Sequence, residues 1–273
     1  GELRVLGSAP HRCNPAIGYV PQHRELDTAI ALSGRDVVGL GIDGHRWGMA
    51  DIDYQLLLDS VQHTGKSTTP NITLPKVTFA YDQRANRLDI AGDDTAPFIK
   101  ERLSTISDES GGQTDVTYST AACDAANLPT PETNTTRCYP VYFTREGDVD
   151  PTKQWFNKYV VEAVTQTDRT KSSPDMVTRY SYLGGAAWHF DDDDGLTKEK
   201  YKTWSTWRGY GHVRVQTGGQ DPVGMKSQTD HYFLRGMDGD KADSSGGTRT
   251  VTVSDDNGGT ITDHDSAAGF EYK

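Results

Sequence analysis

From about position 51 onward, short runs of alternating β-branched and aromatic residues come in pairs, with clusters of Gly, Ser, Asn, Asp or Pro between them. An alternation of period two turns one face of a strand towards a core and the other outward, and the clusters supply the turns. Residues 51–62 lead through a Gly/Ser/Thr/Pro turn into 72–81. Residues 102–118 read as a hairpin with Gly111 and Gly112 at its tip. The run 158–167 pairs with 176–182, and 212–217 with 229–233. Residues 248–254 and 260–262 flank Asp-Asn-Gly-Gly at 256–259, a tight-turn signal. The pattern predicts an all-β fold of successive antiparallel hairpins forming part of a curved sheet, after a short mixed α/β N-terminal segment. The helical candidate is 196–207, where Leu196, Lys200, Thr203 and Trp207 share a face, but its two Trp and three Thr suit a strand equally.

Composition narrows the function. Leu, Ile, Val and Phe make up only about 18% of the 273 residues, while Tyr contributes 13 and Trp 5. So little aliphatic material, placed in short stretches, excludes a helical bundle and a large aliphatic-cored α/β enzyme. No apolar run approaches the roughly 20 residues of a membrane span. A net charge of −11 without a basic face argues against nucleic acid as a partner. The chain opens on Gly without a charged-then-apolar leader, which places any targeting signal outside it.

The cysteines are Cys13, Cys123 and Cys138. The last two bracket a polar, proline-bearing stretch and are either a disulfide or two thiols on neighbouring strands. No Cys/His cluster has zinc spacing. The sharpest charge cluster is Asp191, Asp192, Asp193 and Asp194, followed by Gly195. Several carboxylates on a flexible loop suit Ca²⁺, but the EF-hand pattern fails and a run of like charges reads first as a solvated loop, so no cofactor is expected and calcium is the lesser alternative. Asp238, Asp240 and Asp243 form a lesser version that reads as a turn. His189 beside Trp188 has no nucleophile motif to serve. Glu101, Asp108 and Glu109 are imaginable as an acid/base pair but read as surface charge. Trp155, Trp188, Trp204 and Trp207 either line a sugar-binding face or pack on neighbouring strands.

Several ordered segments carry a resemblance. They include Leu-Pro-Lys-Val-Thr-Phe at 74–79 with Asn-Arg-Leu-Asp at 86–89, Asn-Thr-Thr-Arg-Cys-Tyr-Pro-Val at 134–141, and Trp-Phe-Asn-Lys-Tyr-Val-Val at 155–161. Tyr-Leu-Gly-Gly-Ala-Ala-Trp-His-Phe with the four aspartates at 182–194, 201–210, Phe-Leu-Arg-Gly-Met-Asp-Gly at 233–239 and Ala-Gly-Phe at 268–270 continue it. From about 49 to 273 the chain resembles the Rhs/YD-repeat proteins of actinobacteria, in the region upstream of their core repeats. The resemblance implies part of a very large secreted or cell-surface polypeptide whose hairpins wind into a hollow YD-type shell. Its partners would be the remaining parts of that shell and an enclosed effector.

Residues 1–48 resemble something else. Gly-Glu-Leu-Arg-Val-Leu-Gly at 1–7, Asn-Pro-Ala-Ile-Gly-Tyr-Val-Pro-Gln at 14–22 and Gly-Arg-Asp-Val-Val-Gly-Leu-Gly at 34–41 look like an internal fragment of a metal-type ATP-binding cassette ATPase. There Gln22 would be the Q-loop residue. The phosphate loop, the catalytic carboxylate and the signature motif have no counterpart, so ATP hydrolysis is not expected. The chain is therefore expected to be a non-catalytic structural segment of a shell used for toxin encapsulation or surface interaction. The alternatives are a carbohydrate- or surface-binding β module and, less favoured, a hydrolase on an unrecognised β scaffold.

Overall fold

The computed structural model describes residues 57–273 except 68, 94, 146, 147, 172, 193, 194, 220–223 and 256. The chain divides into Gly1–Leu57 and Leu58–Lys273, and the fold below is that of the second unit. The expectations for 1–48, including Gln22 and Cys13, lie outside the described residues.

Among the described residues sixteen strands follow one another: β1 (Ser60–Val61), β2 (Thr64–Gly65), β3 (Ile72–Thr73), β4 (Val77–Ala85), β5 (Ile99–Ser107), β6 (Gly112–Tyr118), β7 (Cys138–Phe143) and β8 (Thr152–Asn157). The rest are β9 (Val161–Asp168), β10 (Met176–Phe190), β11 (Trp204–Gly218), β12 (Met225–Tyr232), β13 (Lys241–Asp243), β14 (Gly246–Thr248), β15 (Thr252–Ser254) and β16 (Thr260–Thr262). Eight of them make one antiparallel sheet in the order β1-β4-β5-β6-β9-β10-β11-β12. The remainder form four two-stranded ribbons. The fold is all-β, as the alternating pattern predicts. Residues 196–207 resolve in favour of the strand: a 3-10 turn at Glu199–Tyr201 gives way to β11 at Trp204.

The hairpins take the registers their side chains demand. Ser107 lies opposite Gln113 across the tip formed by residues 108–111. Asp108 closes that turn by accepting the backbone N–H groups of Ser110 at 2.7 Å and Gly112 at 2.9 Å. Thr165 faces Val177 between β9 and β10, and His212 faces Tyr232 between β11 and β12. β10 and β11 are the longest strands, and three register shifts interrupt their ladder between Leu183 and Phe190. The first falls at Gly184 and Gly185, both at positive φ. A Cβ on Gly185 would lie 3.0 Å from the Thr135 side chain, and the Ala186 N–H donates to the Thr135 carbonyl at 2.8 Å. The two glycines thus let segment 134–137 lie against the sheet, bending the strand as bulges do.

That bend gathers the core at one end. Trp188, Phe190 and Trp204 are buried together, with Tyr139 and Trp207 packed on them. Trp188 Nε1 donates to the Thr136 carbonyl at 2.8 Å and Trp204 Nε1 to the Lys241 carbonyl at 3.1 Å, so each indole brings a satisfied polar edge into the core. Elsewhere most residues of the sheet are half-buried, with exposed positions along β4 and at 226–229 of β12.

Cys123 and Cys138 are joined by a disulfide, with Cα atoms 4.7 Å apart. It ties the loop after β6 to the start of β7, beside Asn157, whose Oδ1 accepts the N–H groups of Ala122 and Cys123. Closing 15 residues restricts the unfolded chain by about 3 kcal/mol in the chain-entropy model. The double variant Cys123→Ser/Cys138→Ser is therefore expected to unfold at a clearly lower urea concentration. An unchanged midpoint would show that the loop is held without the bridge.

At the other end of β11, Asp230 accepts from Arg214 Nε at 2.9 Å, and its Oδ1 lies 2.6 Å from His212 Nε2. These contacts, the His212 ring foremost, hold the Asp230 carboxyl down to about 2 from an ordinary 3.8. A depressed carboxyl stabilises the fold above its unfolded value, and that contribution is lost as pH falls through the folded one. Wild-type urea midpoints are expected to drop between about 3.8 and about 2 more steeply than those of Asp230→Asn. Parallel curves for the two proteins would remove Asp230 from the explanation of acid sensitivity.

Candidate functional site

The side chains that offer most to a ligand lie where β10 and β11 bend. An aromatic row runs Tyr139–Trp188–Trp207–Tyr210–Tyr182, with successive ring centres 4.3, 4.8, 5.6 and 4.8 Å apart. Trp188 is its buried keel, while Trp207 is half-buried and lines two adjoining clefts. One, of about 380 Å³, lies between residues 206–209 of β11 and Ala268–Gly269. The other, about 270 Å³, is more apolar and runs from Trp207 and Tyr210 to Tyr182, Val160 and Leu234. Gly209, at positive φ, forms part of both walls without a side chain to fill them.

Several cations lie beside parts of this row, and among the described residues Arg208 is the one that lines the clefts. Lys158 Nζ sits 5.5 Å from the centre of the Trp207 ring. Arg102 stacks its guanidinium 5.1 Å above Tyr159 and donates to Asn86 Oδ1 at 3.0 Å. The charge of Arg137 reaches the Tyr182 hydroxyl, although burial still pushes that hydroxyl up. Arg208 donates to Asp265 Oδ1. Among the described residues no carboxylate lies within ion-pair distance of Arg102, Arg137 or Lys158. The Nε atoms of Arg102, Arg137 and Arg208 are buried without an acceptor among the described residues. Burial, and secondarily the charge of Arg102, lowers the Lys158 ammonium from its ordinary value. In a chain with 11 excess negative charges this is a local inversion of sign.

The residues singled out from sequence scatter differently. Asp191 and Asp192 directly follow β10, with the Asp191 N–H donating to the Thr203 carbonyl at 2.9 Å and the Asp192 side chain largely exposed. Asp193 and Asp194 lie outside the described residues. Among the described residues no three His, Cys, Asp or Glu side chains gather to hold a metal. Glu101 accepts from Gln83 at 2.7 Å, and Glu109 lies 2.7 Å from His63. Glu101 and Asp108 are separated by seven residues of extended chain, roughly 20 Å, well beyond glycosidase spacing. Of the four tryptophans considered for a sugar-binding face, Trp155, Trp188 and Trp204 are buried, leaving Trp207. Asp243 ends β13 and accepts the Ser245 N–H at 2.8 Å in the turn that follows, near the turn expected there, but Asp240 lies in the interior and not in a turn. It is 1% exposed, accepts the Phe190 N–H at 3.0 Å, and lies 3.6 Å from His189 Nδ1 and 3.4 Å from Arg249 Nη1. A strand cross-contact 50 residues away brings it inside, which local spacing cannot reveal.

Sequence reasoning also missed Arg87, Asp263 and the cation group. Asp263 is fully buried and accepts the N–H groups of Arg235, Gly236 and Met237. The cations are dispersed along the chain: Arg102 lies on β5, whereas Arg137 and Lys158 lie outside the strands, where the Lys158 N–H donates to the Arg137 carbonyl at 2.8 Å. Among the described residues no helix is long and apolar enough to cross a membrane. Comparison with known proteins finds no matching family model, no matching curated protein and no matching solved structure.

Proposed function

We propose that the chain contributes a non-catalytic wall section to a larger exported β shell, the role its resemblance to Rhs/YD-repeat proteins implies. Its partners are then the neighbouring strands of that shell and an effector held inside it. The observation that carries this reading is the open end of the sheet. β12 pairs with β11 on one side, and from Met225 to Asp230 no strand pairs with its other side among the described residues. Residues 226–229 are exposed. An unpaired strand presents a row of N–H and C=O groups ready to accept another strand. The succession of hairpins in sequence order supports the same reading, because such a sheet extends by adding the next ribbon at its end.

The test is sedimentation velocity of the full chain over a wide concentration range. Concentration-dependent association is expected, and Ser227→Lys/Thr229→Lys, which places charge on the open strand, is expected to abolish it. A monomer at every concentration, or association untouched by those lysines, would overturn the reading. So would turnover in a broad panel of ester, peptide and glycoside substrates.

A further inference from the structure

The open stretch of β12 has a definite extent. Past it the edge is covered: the Tyr232 N–H donates to the Lys273 carbonyl at 2.8 Å, the Tyr272 N–H to the Tyr232 carbonyl at 2.9 Å, and the Leu234 N–H to the Phe270 carbonyl at 2.9 Å. Before it, the Gly219 N–H donates to the Gly224 carbonyl at 2.8 Å where the chain arrives from β11. Between these lies Met-Lys-Ser-Gln-Thr-Asp at 225–230, a cation towards one end and an anion at the other. Among the described residues the exposed Lys226 has no ion-pair partner. Asp230 Oδ1 serves Arg214 and His212, whereas Oδ2 takes Gln228 Nε2 at 3.0 Å and keeps a lone pair for an ammonium.

Facing residues of an antiparallel ladder either turn their N–H and C=O groups towards each other or both turn them away, and the two cases alternate along the strand. A strand that pairs with a copy of itself across a two-fold axis must therefore set one residue opposite its own counterpart. Centred on Ser227, Lys226 would face Gln228. Centred on Thr229, Asp230 would face Gln228, and in both registers the charges go unmatched. Centred on Gln228, Lys226 faces Asp230 twice and Ser227 faces Thr229 twice. Opposite charges and paired hydroxyls at facing positions are what stabilise such a ladder.

We propose that two copies of this chain join through β12 in that antiparallel register, with Gln228 at the two-fold axis and a Lys226–Asp230 pair on either side of it. The proposal rests on the open strand described above and names its occupant in the isolated chain, a second copy in place of a further shell ribbon.

The test places cysteines on β12 of the full chain carrying Cys13→Ser. Dissolved oxygen with copper phenanthroline takes two electrons and two protons from a facing pair of thiols and leaves a disulfide. Gln228→Cys is expected to give a covalent dimer. Lys226→Cys is expected not to, because its two copies stand four residues apart along the ladder, roughly 13 Å. Sedimentation is expected to stop at two copies. Lys226→Glu, which sets carboxylate against carboxylate at both ends, is expected to raise the dimer Kd about tenfold. Association without a crosslink in Gln228→Cys, equal crosslinking of Lys226→Cys, growth beyond two copies, or an unchanged Kd in Lys226→Glu would each overturn the two-fold pairing and leave the open strand standing. A monomer at every concentration would overturn both.

Discussion

Replacing Arg87 with alanine is expected to cost the fold about 3–5 kcal/mol, the range for breaking a buried ion pair and emptying a large buried site. The guanidinium is completely enclosed and has a partner on every side. Nη1 and Nη2 grip the two oxygens of Asp93 at 2.7 and 3.0 Å, Nη1 also reaches Gln154 at 3.1 Å, Nε donates to the Ala96 carbonyl at 2.9 Å, and Nη2 to that of Thr95. Asp93 is lowered in return, first by this hydrogen bonding. One side chain thereby fixes the long connection between β4 and β5 against β8. Its backbone N–H donates to the Pro97 carbonyl at 2.8 Å, extending the same tie. Arg87→Lys keeps the charge but has no fork to serve carboxylate and carbonyls together, so it is expected to retain most of the loss. Urea denaturation checks both. A change within about 0.5 kcal/mol, typical of surface substitutions, would mean that the clamp does not hold in solution.

The second large effect is expected at Trp188. Alanine there should cost about 3–5 kcal/mol, because the indole is 2% exposed and the cavity it leaves is walled by Tyr139, Trp207 and Phe190. Phenylalanine keeps most of the volume but leaves the Thr136 carbonyl without its donor, and is expected to cost about 1 kcal/mol more than a pure volume change. Near-ultraviolet circular dichroism at low denaturant separates local from global failure. Loss of the aromatic signal with an intact sheet would place Trp188 in the packing of the bend alone. Simultaneous loss of both is the result expected, since β7, β10 and β11 meet on this ring.

How these two residues could have been found differs. Trp188 was in view from sequence, as a residue to be either buried or exposed, and only packing decides between those. Arg87 gave no signal, because a charged residue between Asn86 and Leu88 reads as surface until the β4–β5 connection folds back over it. The hairpins themselves were legible. Gly111 and Gly112 at a tip, and alternation at 158–167 and 176–182, are local properties, and the registers follow from them. The bulges of β10 were legible only as Gly184 and Gly185, without a hint that Thr135 approaches there. The cation group was invisible for the same reason: Arg102, Arg137 and Lys158 lie in three segments, and only tertiary contacts such as the Lys158 N–H to the Arg137 carbonyl bring them near one another.

The most direct test of the proposed wall role is hydrogen–deuterium exchange along β12, compared between dilute and concentrated full chain. An open strand leaves every second backbone N–H from Met225 to Asp230 unpaired. Fast exchange at those positions in dilute solution, turning slow on assembly while β9 and β10 remain unchanged, is the result expected. Slow exchange along the whole of β12 in a dilute monomer would contradict it, for the sheet would then already be closed and have no place for a neighbour.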